Sequence, residues 1–239
     1  LRDRSFRVAS PSFFQVNVAQ LDRMVDLVRE ALQLTGTETV MDAYAGVGTF
    51  ALLLAPFAGK IIAIEDSVNA VEDARANAQG TLNVEFLLGR TEKVLADLEE
   101  TPHGVILDPS RKGCHPDALE ALARLAPTRL VYVSCDPGTL ARDLKILCQG
   151  PFYLVGVQPL DMFPQTHHVE CIATLALRRP LQDLVLASTS PRRRQLAESL
   201  GLDFNVVAPH VEETHQEEDP KAMVQRLALA KAQKVAADR

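Results

Sequence analysis

Apolar runs of strand length alternate with helical stretches along most of the chain, and this alternation constrains the fold more than any other feature. Short apolar runs typical of strands occur seven times, at residues 39–43, 60–65, 83–88, 104–108, 130–135, 152–159 and 169–177. Apolar residues at helical spacing fill the stretches between the first six runs, at residues 49–58, 68–77, 91–98, 118–125 and 137–147. Since strands that alternate with helices are joined by crossover connections, the sequence predicts an α/β fold with a doubly wound, mostly parallel sheet of seven strands.

Two features complete this prediction at the ends of the sheet. A further helix is predicted ahead of the first strand, at residues 18–34, where apolar residues recur on one face and Asn17 is placed as the N-cap. The last two strands are separated only by a short loop, so we expect them to pair antiparallel at one edge of the sheet.

The composition excludes several classes of protein. Apolar residues make up 47% of the 239 residues and charged residues 23%, which is ordinary for a folded soluble domain. The longest apolar runs are too short for a membrane span, and the N-terminus lacks the pattern of a secretory signal. Because the net charge is −6, any contact with nucleic acid must come from a local basic patch. The four cysteines show no C-x-x-C spacing, so we expect no metal site and reduced thiols in the cytoplasm.

The pattern restarts near residue 180, which predicts a domain boundary with residues 1–179 before it and residues 180–239 after it. The second unit has a short strand at 184–187, a helix from Pro191 to about residue 200, a strand at 204–207 and a helix at 220–237. About 60 residues is near the lower limit for an independent core, so this unit looks incomplete. The chain begins in mid-motif without methionine, and we expect it to be a piece of a longer protein. Its oligomeric state stays open.

A glycine motif, D-x-Y-x-G-x-G, lies between the first strand and the following helix. Gly46 and Gly48 let the backbone approach a ligand, and the helix N-terminus offers free N–H groups. Glu65 ends the next strand, where a carboxylate can accept hydrogen bonds from both ribose hydroxyls of an adenosine ligand. The alternative for the glycines alone is a tight strand-to-helix turn, but with Glu65 in place the sequence favours a site for a nucleoside cofactor.

A second motif, D-P-x-R, ends the fourth strand. The carboxyl ends of strands in an open α/β sheet face the ligand crevice, so Asp108 and Arg111 are expected in the site. The alternative is a proline-containing loop with solvated basic side chains.

The third motif, S-C-D-P, places Cys135 at the tip of the fifth strand, next to a helix N-terminus with Pro137 in its first turn. The helix dipole there is expected to lower the pKa of the thiol and to favour the thiolate. The other interpretation of a cysteine, a small buried hydrophobe, fits Cys148 and Cys171 better. For Cys114 both interpretations stay open.

The turn before the last strand contains two histidines and a glutamate. Glu170 enters the strand at the same end of the sheet as Cys135, which makes it a candidate general base. His167 and His168 are interpreted as parts of a solvated polar turn.

Taken in this order, the motifs from F-F-Q-V-N at residues 13–17 to H-V-E near the end resemble those of the RNA uracil-5 methyltransferases, over residues 1–178. The resemblance implies a class I (Rossmann-like) S-adenosylmethionine-dependent methyltransferase that acts on ribosomal or transfer RNA. It implies that S-adenosylmethionine is bound by Gln15, Tyr44, Glu65 and Asp108 with the glycine motif, that Cys135 is the nucleophile, that Glu170 is the proton acceptor and that Arg111 contacts RNA.

This chain departs from the family in a few places. Ala45 stands where many members have cysteine, and Ser110 where many have a second proline. Neither is a reacting group. The family's N-terminal OB-like RNA-binding domain, the iron–sulfur cysteines of some members and part of the central region are missing.

The chemistry of uracil methylation calls for the same residue types. Uracil C5 is a poor nucleophile, so a thiolate first adds to C6 and generates an enolate. A base then removes the C5 proton before the thiol is eliminated, and the target base must leave its stack to reach both groups. Methylation of an exocyclic amine would instead need polar acceptors and no cysteine, so S-C-D-P favours carbon methylation.

The second unit resembles the start of Maf-type nucleoside triphosphate pyrophosphatases. The match implies that the phosphate or metal-site residues, with Mg²⁺ or Mn²⁺, would be Ser188, Arg192, Arg193, Glu213 and Lys231. Without the match to this family, the alternative interpretation is a helix with a basic N-terminus beside a solvated acidic loop. The family's catalytic aspartate is expected beyond the end of the sequence, so we expect no hydrolysis. Two rivals to methyl transfer are thus a nucleotide pyrophosphatase and a non-catalytic RNA-binding remnant.

Overall fold

The computed structural model divides into two compact units, Leu1–Arg178 and Arg179–Arg239, each of which is described by itself. The residues that the structure describes are 1–2, 4–10, 12, 14–15, 17–166, 168–178, 184–199, 204–209, 211 and 219–237.

The first unit is built on one seven-stranded sheet. Its strands are β1 (Thr39–Asp42), β2 (Lys60–Glu65), β3 (Val84–Leu88), β4 (Gly104–Leu107), β5 (Arg129–Ser134), β6 (Phe152–Leu160) and β7 (Glu170–Leu177). The strand order is β3-β2-β1-β4-β5-β7-β6. The first five strands are parallel, whereas β7 lies between β5 and β6 and runs antiparallel to both. The predicted class I methyltransferase fold, with its antiparallel ending, is confirmed.

Helices cover both faces of this sheet. They are α1 (Val18–Leu32), α2 (Thr49–Leu54), α3 (Val68–Asn77), α4 (Thr91–Asp97), α5 (Pro116–Leu125) and α6 (Pro137–Gln149). The predicted N-cap of α1 is present, since the side chain of Asn17 accepts a hydrogen bond from the N–H of Gln20 at 3.3 Å. The buried residues form two apolar clusters, one of which contains the buried face of α1 and the other the buried faces of α5 and α6.

The bounds of the elements differ from the prediction where local chemistry intervenes. The helix predicted at 49–58 ends at Leu54 and continues as a single 3₁₀ turn, Ala55–Phe57, because Pro56 has no N–H to donate to the helix. Helix α1 ends at Leu32, two residues before the predicted end, because the next residue, Gln33, adopts the left-handed conformation with φ 54° and caps the helix. Strands β4 and β5 each end one residue early, so Asp108 and Cys135 lie just beyond the strand ends.

The position of β1 in the sheet determines where a ligand can bind. Strand β1 pairs with β2 on one side and with β4 on the other. The connection after β1 leads to one side of the sheet, and the connection after β3 leads back to the other side, so the strand order reverses at β1. In open α/β sheets, ligands bind in the crevice outside the carboxyl ends of the strands at such a switch point. This crevice carries the motifs that follow β1, β2, β4 and β5.

The second unit contains two strands of two residues each, β8 (Val185–Leu186) and β9 (Asn205–Val206), which pair in parallel. The strands predicted at 184–187 and 204–207 are therefore present but shorter. The two predicted helices are α7 (Pro191–Ser199) and α8 (Pro220–Ala237). Within the part of the chain that the structure describes, no helix has the length and apolar character that a membrane crossing requires.

Candidate active site

A cavity of about 700 Å³ opens at the carboxyl ends of β1, β2 and β4. Its lining includes Tyr44 and Glu65, two residues predicted to bind the cofactor, together with Asp66 and Thr91. The lining also includes residues that follow β4, among them Ser110 and Cys114, and residues of α6. The cavity thus lies at the switch point of the sheet.

The glycine motif forms a turn that is tied to the end of β2. Gly48 has φ 87° and caps α2, and a Cβ there would come within 3.2 Å of the Phe86 ring. The N–H of Gly46 donates to Oε2 of Glu65 at 2.8 Å, and the N–H of Ser67 donates to Oε1 at 2.9 Å. Burial raises the pKa of Glu65, although these two hydrogen bonds oppose the shift. Each carboxylate oxygen keeps a lone pair for a ligand hydroxyl.

Asp42, at the end of β1, is a candidate site residue that the sequence prediction did not include. Its side chain is fully buried, and Oδ2 accepts a hydrogen bond from the N–H of Ala51 at 3.1 Å. Oδ1 has no hydrogen-bond partner among the described residues. Burial raises the pKa of Asp42 to about 7, and the charge of Glu65 contributes. Its position as the first residue of the glycine motif was the available signal.

Gln15 lies in an N-terminal segment whose described residues are 4–10, 12, 14 and 15 and which is attached to α3. Its Oε1 atom is buried and has no hydrogen-bond partner among the described residues. Asp73 of α3 accepts hydrogen bonds from the N–H of Ala9 at 2.7 Å and from Oγ of Ser12 at 2.9 Å. The neighbouring motif residues Phe13 and Val16 lie outside the described residues.

Asn77 connects the same segment to the glycine motif. Its Oδ1 accepts a hydrogen bond from the N–H of Arg7 at 2.6 Å, and its Nδ2 donates to the carbonyl of Val47 at 3.1 Å. One side chain of α3 therefore contacts both the segment that carries Gln15 and the turn that carries the glycines.

Tyr44 is half-buried and interacts with the side chains of Cys114 and Thr91. Burial raises the pKa of both the Tyr44 hydroxyl and the Cys114 thiol, the latter to about 11. A buried thiol that is protonated at neutral pH is unreactive, so of the two interpretations of Cys114 the structure favours the structural one. Cys171 is buried in β7, and Cys148 is half-buried in α6.

Cys135 and Glu170 come together through the pairing of β5 with β7. Ser134 pairs with Cys171 in antiparallel register, so Cys135, one residue later, lies opposite Glu170, one residue earlier. Glu170 is buried, and burial raises the pKa of its carboxyl while the charge of Arg111 lowers it. Asp108, directly after β4, has a pKa well above its usual range because of burial and the charges of Glu170 and Asp42.

The predicted low pKa of Cys135 is wrong for this structure. Partial burial and the charge of Glu170 raise the pKa of the thiol, and Arg111 opposes them through its charge and a hydrogen bond. Asp136 also caps α6, since its Oδ1 accepts a hydrogen bond from the N–H of Thr139 at 2.7 Å, and its carboxylate offsets the positive end of the helix.

The residues around the crevice fit the cofactor that the resemblance implies. S-adenosylmethionine has a sulfonium and an ammonium cation, and a cation would stabilise the ionised carboxylates of Asp42, Glu65 and Asp108, whose pKa values are raised. The unpartnered acceptors of Gln15 and Asp42 would gain hydrogen bonds from a ligand donor. Within the described ranges, no group of three or more His, Cys, Asp or Glu side chains is arranged for a metal ion.

The predicted nucleotide-site residues of the second unit are partly described. Ser188 is buried, and its Oγ accepts from Nη1 of Arg193 at 3.5 Å. Arg192 is exposed on α7, and Lys231 is half-buried in α8. Glu213 lies outside the described residues, as does His167 of the first unit. His168 packs edge-on against Phe163.

Comparison with curated relatives identifies proteins similar to the first unit. An uncharacterized RNA methyltransferase of Gloeobacter violaceus is 49% identical over 172 residues, which cover 71% of this chain and 37% of the relative. Another, from Oceanobacillus iheyensis, is 46% identical over 181 residues, which cover 74% of this chain and 39% of the relative. The chain therefore spans less than half the length of these relatives.

Solved structures show the same similarity. The tRNA (uracil-54, C5)-methyltransferase of Pyrococcus abyssi, solved with S-adenosyl-L-homocysteine, is 34% identical with a TM-score of 0.64, over 74% of this chain and 43% of that one. An rRNA methylase of Streptococcus thermophilus shares the fold, with 18% identity and a TM-score of 0.54 over 66% of this chain and 95% of that one.

Two family models match the sequence, in agreement with both predicted resemblances. A model described as Maf-like protein matches residues 183–239. A model described as tRNA (uracil-5-)-methyltransferase matches residues 1–178, which is most of the chain. The chain belongs to the tRNA (uracil-5-)-methyltransferase family.

Proposed function

We propose that this chain transfers a methyl group from S-adenosylmethionine to C5 of a uridine in ribosomal or transfer RNA, through a covalent adduct between Cys135 and C6. The observation that carries the proposal is the register of β5 and β7, in which Cys135 lies opposite Glu170 beside the crevice. The Pyrococcus abyssi relative, which acts on uracil C5 of tRNA, supports the choice of atom. The four free thiols are compatible with the cytoplasm as the place of action.

Five residues are assigned to the cofactor on the basis of their position around the crevice. Glu65 would accept hydrogen bonds from the ribose hydroxyls, and Asp42 and Asp108 would face cationic groups. Gln15 would use its unpartnered Oε1 to accept a further hydrogen bond. Tyr44, which lines the cavity with Glu65, belongs to the same wall. When bound, S-adenosylmethionine supplies an electrophilic methyl group on a positively charged sulfur.

The first chemical task of the protein is to activate the uracil ring. Arg111 favours the thiolate of Cys135 through its charge and its hydrogen bond. The thiolate sulfur donates an electron pair to C6, and the electrons of the C5–C6 double bond move to C5, which becomes nucleophilic as part of an enolate. Arg111 would also contact the anionic RNA, which is the role predicted for it.

The second task is to remove a proton and release the thiol. After C5 has gained its methyl group, the carboxylate of Glu170 accepts the C5 proton. The C–H electrons re-form the C5–C6 double bond, and the bond between C6 and the sulfur of Cys135 breaks. Burial raises the pKa of Glu170, which makes its carboxylate a stronger base than an exposed one.

A uridine analogue with fluorine at C5 provides the test. Fluorine does not leave as a cation, so elimination stops and the protein stays bound to the RNA. With S-adenosylmethionine and excess RNA that contains 5-fluorouridine, we expect a covalent complex that survives denaturing electrophoresis. Cys135→Ala should bind the cofactor and form no complex, whereas the matched variant Cys148→Ala should form it.

Two other outcomes would contradict the proposal. Cofactor binding by calorimetry without any covalent complex would favour a non-catalytic RNA-binding remnant. A complex that persists in Cys135→Ala would assign the nucleophile to another residue.

A further inference from the structure

Asp143 of α6 is a fully buried carboxylate outside the groups that the proposed reaction uses. Its Oδ2 accepts hydrogen bonds from the N–H of Cys114 at 2.8 Å and from the hydroxyl of Tyr132 at 2.7 Å. Its Oδ1 accepts from Nε of Arg142 at 2.8 Å, and Nη2 of Arg142 lies 2.7 Å away. A buried charge with this many partners holds them in one arrangement, because any partner that moves leaves part of the charge unsatisfied.

Arg142 extends these contacts to the loop that follows β4. Its Nη2 donates to the carbonyl of Lys112 at 2.9 Å, so Arg142 and Asp143 hold the backbone on both sides of Gly113. Gly113 has φ 76°, and a Cβ there would lie 2.5 Å from Nη2 of Arg142 and 2.6 Å from Oδ2 of Asp143. The backbone therefore passes so close to this pair that only glycine fits.

The held loop presents Arg111. The N–H of Gly113 donates to the carbonyl of Ser110 at 2.8 Å, which closes a turn with Arg111 inside it. The charge of Arg111 acts on Cys135, Asp136 and Glu170. Helix α6, which carries Arg142 and Asp143, begins two residues after Cys135. The same helix thus adjoins the proposed nucleophile at one end and holds the arginine loop one to two turns later.

We propose that Arg142 and Asp143 are positioning residues, which hold the loop 108–114 so that Arg111 stays beside Cys135. This inference rests on the proposed function, in which Cys135 is the nucleophile. A nucleophile needs the opposite charge of Arg111 in place before the substrate binds. Both residues line the cavity, and neither is among the groups whose charges or hydrogen bonds act on Cys135. Their effect passes through Arg111.

Cys135 itself can report the effect without RNA or cofactor. Its thiol is faced by Glu170 from β7 and by Arg111 from the loop after β4, with Asp136 next to it in the chain. Loss of the loop contacts should weaken the effect of Arg111 and move the alkylation of Cys135 to higher pH. For Arg142→Ala, the alkylation rate at neutral pH should fall by about two- to fivefold, the equivalent of one partly exposed charge pair.

A double-mutant cycle distinguishes positioning from general destabilisation. Iodoacetamide labelling of Cys135 would be followed by peptide mass spectrometry across pH in the full chain, in Asp143→Asn, in Arg142→Ala, in Arg111→Ala and in each double variant with Arg111→Ala. If the pair acts through Arg111, substitution of Arg142 or Asp143 should change the pH profile of Cys135 labelling in the otherwise wild-type protein. The same substitution should have no further effect when Arg111→Ala is already present. Arg142 is half-exposed, so Arg142→Ala is expected to fold even if Asp143→Asn does not.

The control is Leu147→Ala, which removes a fully buried apolar side chain from the same helix. It should lower stability and leave the pH profile of Cys135 unchanged. Additive effects in the cycle, or an unchanged profile in Arg142→Ala, would overturn the inference. These results are independent of the 5-fluorouridine test, so failure of methyl transfer with an intact cycle would overturn only the proposed function.

Discussion

At the scale of the residue, the thiol of Cys135 lies between an acidic and a basic side chain. Glu170 raises its pKa and Arg111 lowers it. Substituting the two neighbours should therefore move the thiol in opposite directions: Glu170→Gln should lower its pKa and speed alkylation at neutral pH, and Arg111→Ala should slow it. Peptide-resolved iodoacetamide labelling measures both, with Cys148 of the same protein as the internal reference. Shifts in the same direction would contradict this charge arrangement.

The same pair of variants should separate thiol reactivity from turnover. Glu170→Gln has no carboxylate to accept the C5 proton, so it should fail to release the thiol and should lose turnover although its thiol is more reactive. We expect it to accumulate the adduct with ordinary uridine RNA, detectable as a covalent complex by denaturing electrophoresis. Methyl transfer at the wild-type rate would remove Glu170 from the role of base.

Glu65 accepts a hydrogen bond from the glycine turn and is proposed to bind the ribose of the cofactor, so its removal tests both roles. Glu65→Ala should weaken the binding of S-adenosylmethionine by about 1.5–3 kcal/mol, the scale of a hydrogen bond to a charged group. It should also loosen the glycine turn, because the N–H of Gly46 loses its acceptor. Calorimetry measures the affinity, and Glu72→Ala, on the exposed side of α3, is the control. Unchanged affinity in a folded Glu65→Ala would exclude Glu65 from the site.

Asp42 should make the stability of the fold depend on pH. Burial raises its pKa from 3.8 to about 7, so between these values the folded protein holds a proton that the unfolded chain releases. Stability from this group is therefore complete below about pH 4 and is lost as the pH rises through about 7, by up to about 4 kcal/mol. Asp42→Asn should stabilise the protein at pH 8 more than at pH 5, as measured by urea denaturation. An equal effect at both pH values would contradict the assignment.

Sequence motifs led to candidate residues that lie next to a recognisable pattern in the chain, such as Gly48 in the glycine motif and Glu65 at a strand end. They did not predict Asp42 or Asp143, because a buried carboxylate is recognised only by the partners that the fold brings to it. The pKa direction of Cys135 was wrong for the same reason. Its strongest charged neighbour, Glu170, comes from a strand that is distant in sequence and adjacent only through the antiparallel pairing.

At the scale of the element, the alternation of strands and helices predicted every element of the sheet, with bounds that shifted by a few residues where proline or a left-handed residue intervened. The attachment of the N-terminal segment to α3 was not predicted. It depends on side-chain hydrogen bonds to Asp73 and Asn77, and these leave no periodic pattern in the sequence.

This attachment leads to a prediction about cofactor affinity. Asp73→Ala removes the acceptor for Ala9 and Ser12, so the segment that carries Gln15 should become mobile. We expect weaker binding of S-adenosylmethionine and faster amide hydrogen exchange in residues 4–15, with the sheet still protected. The exposed Asp97→Ala is the control. Tight binding together with a mobile segment would show that Gln15 contributes little.

The same contact should respond to acid. Hydrogen bonds from Ala9 and Ser12, together with the charge of Arg7, lower the pKa of Asp73. The stabilisation from the ionised Asp73 is therefore present at neutral pH. It is lost as the pH falls through the lowered pKa of Asp73, which is below the value of about 4 for an exposed aspartate.

At the scale of the whole molecule, the restart of the pattern near residue 180 predicted two units, and the contacts divide the described chain at a similar place. The sequence did not predict the length of the strands in the described part of the second unit, where β8 and β9 have two residues each. Short apolar runs do not show how many backbone pairs they will form.

We expect the Maf-like unit to release no pyrophosphate from nucleoside triphosphates in this chain. Arg192 and Arg193 are exposed on α7, and the two described strands of this unit have two residues each. We therefore expect the residues predicted to bind phosphate to be loosely held. A misplacement of about 1 Å can cost about a hundredfold in rate. The assay is pyrophosphate release from a panel of triphosphates with Mg²⁺ or Mn²⁺. Turnover that disappears in Arg193→Ala would make the chain bifunctional.

The insertion of β7 between β5 and β6 has a consequence for biosynthesis. A ribosome makes the strands in numerical order, so β1 to β5, with most of the cofactor crevice and Cys135, emerge before Glu170 exists. In the described sheet, β6 is hydrogen-bonded to β7, so β6 cannot join the sheet until β7 has been made and has paired with β5. A nascent chain released before that moment would carry the proposed nucleophile without its proposed proton acceptor. The sheet and the proposed catalytic pair are thus completed by the same step, the addition of β7.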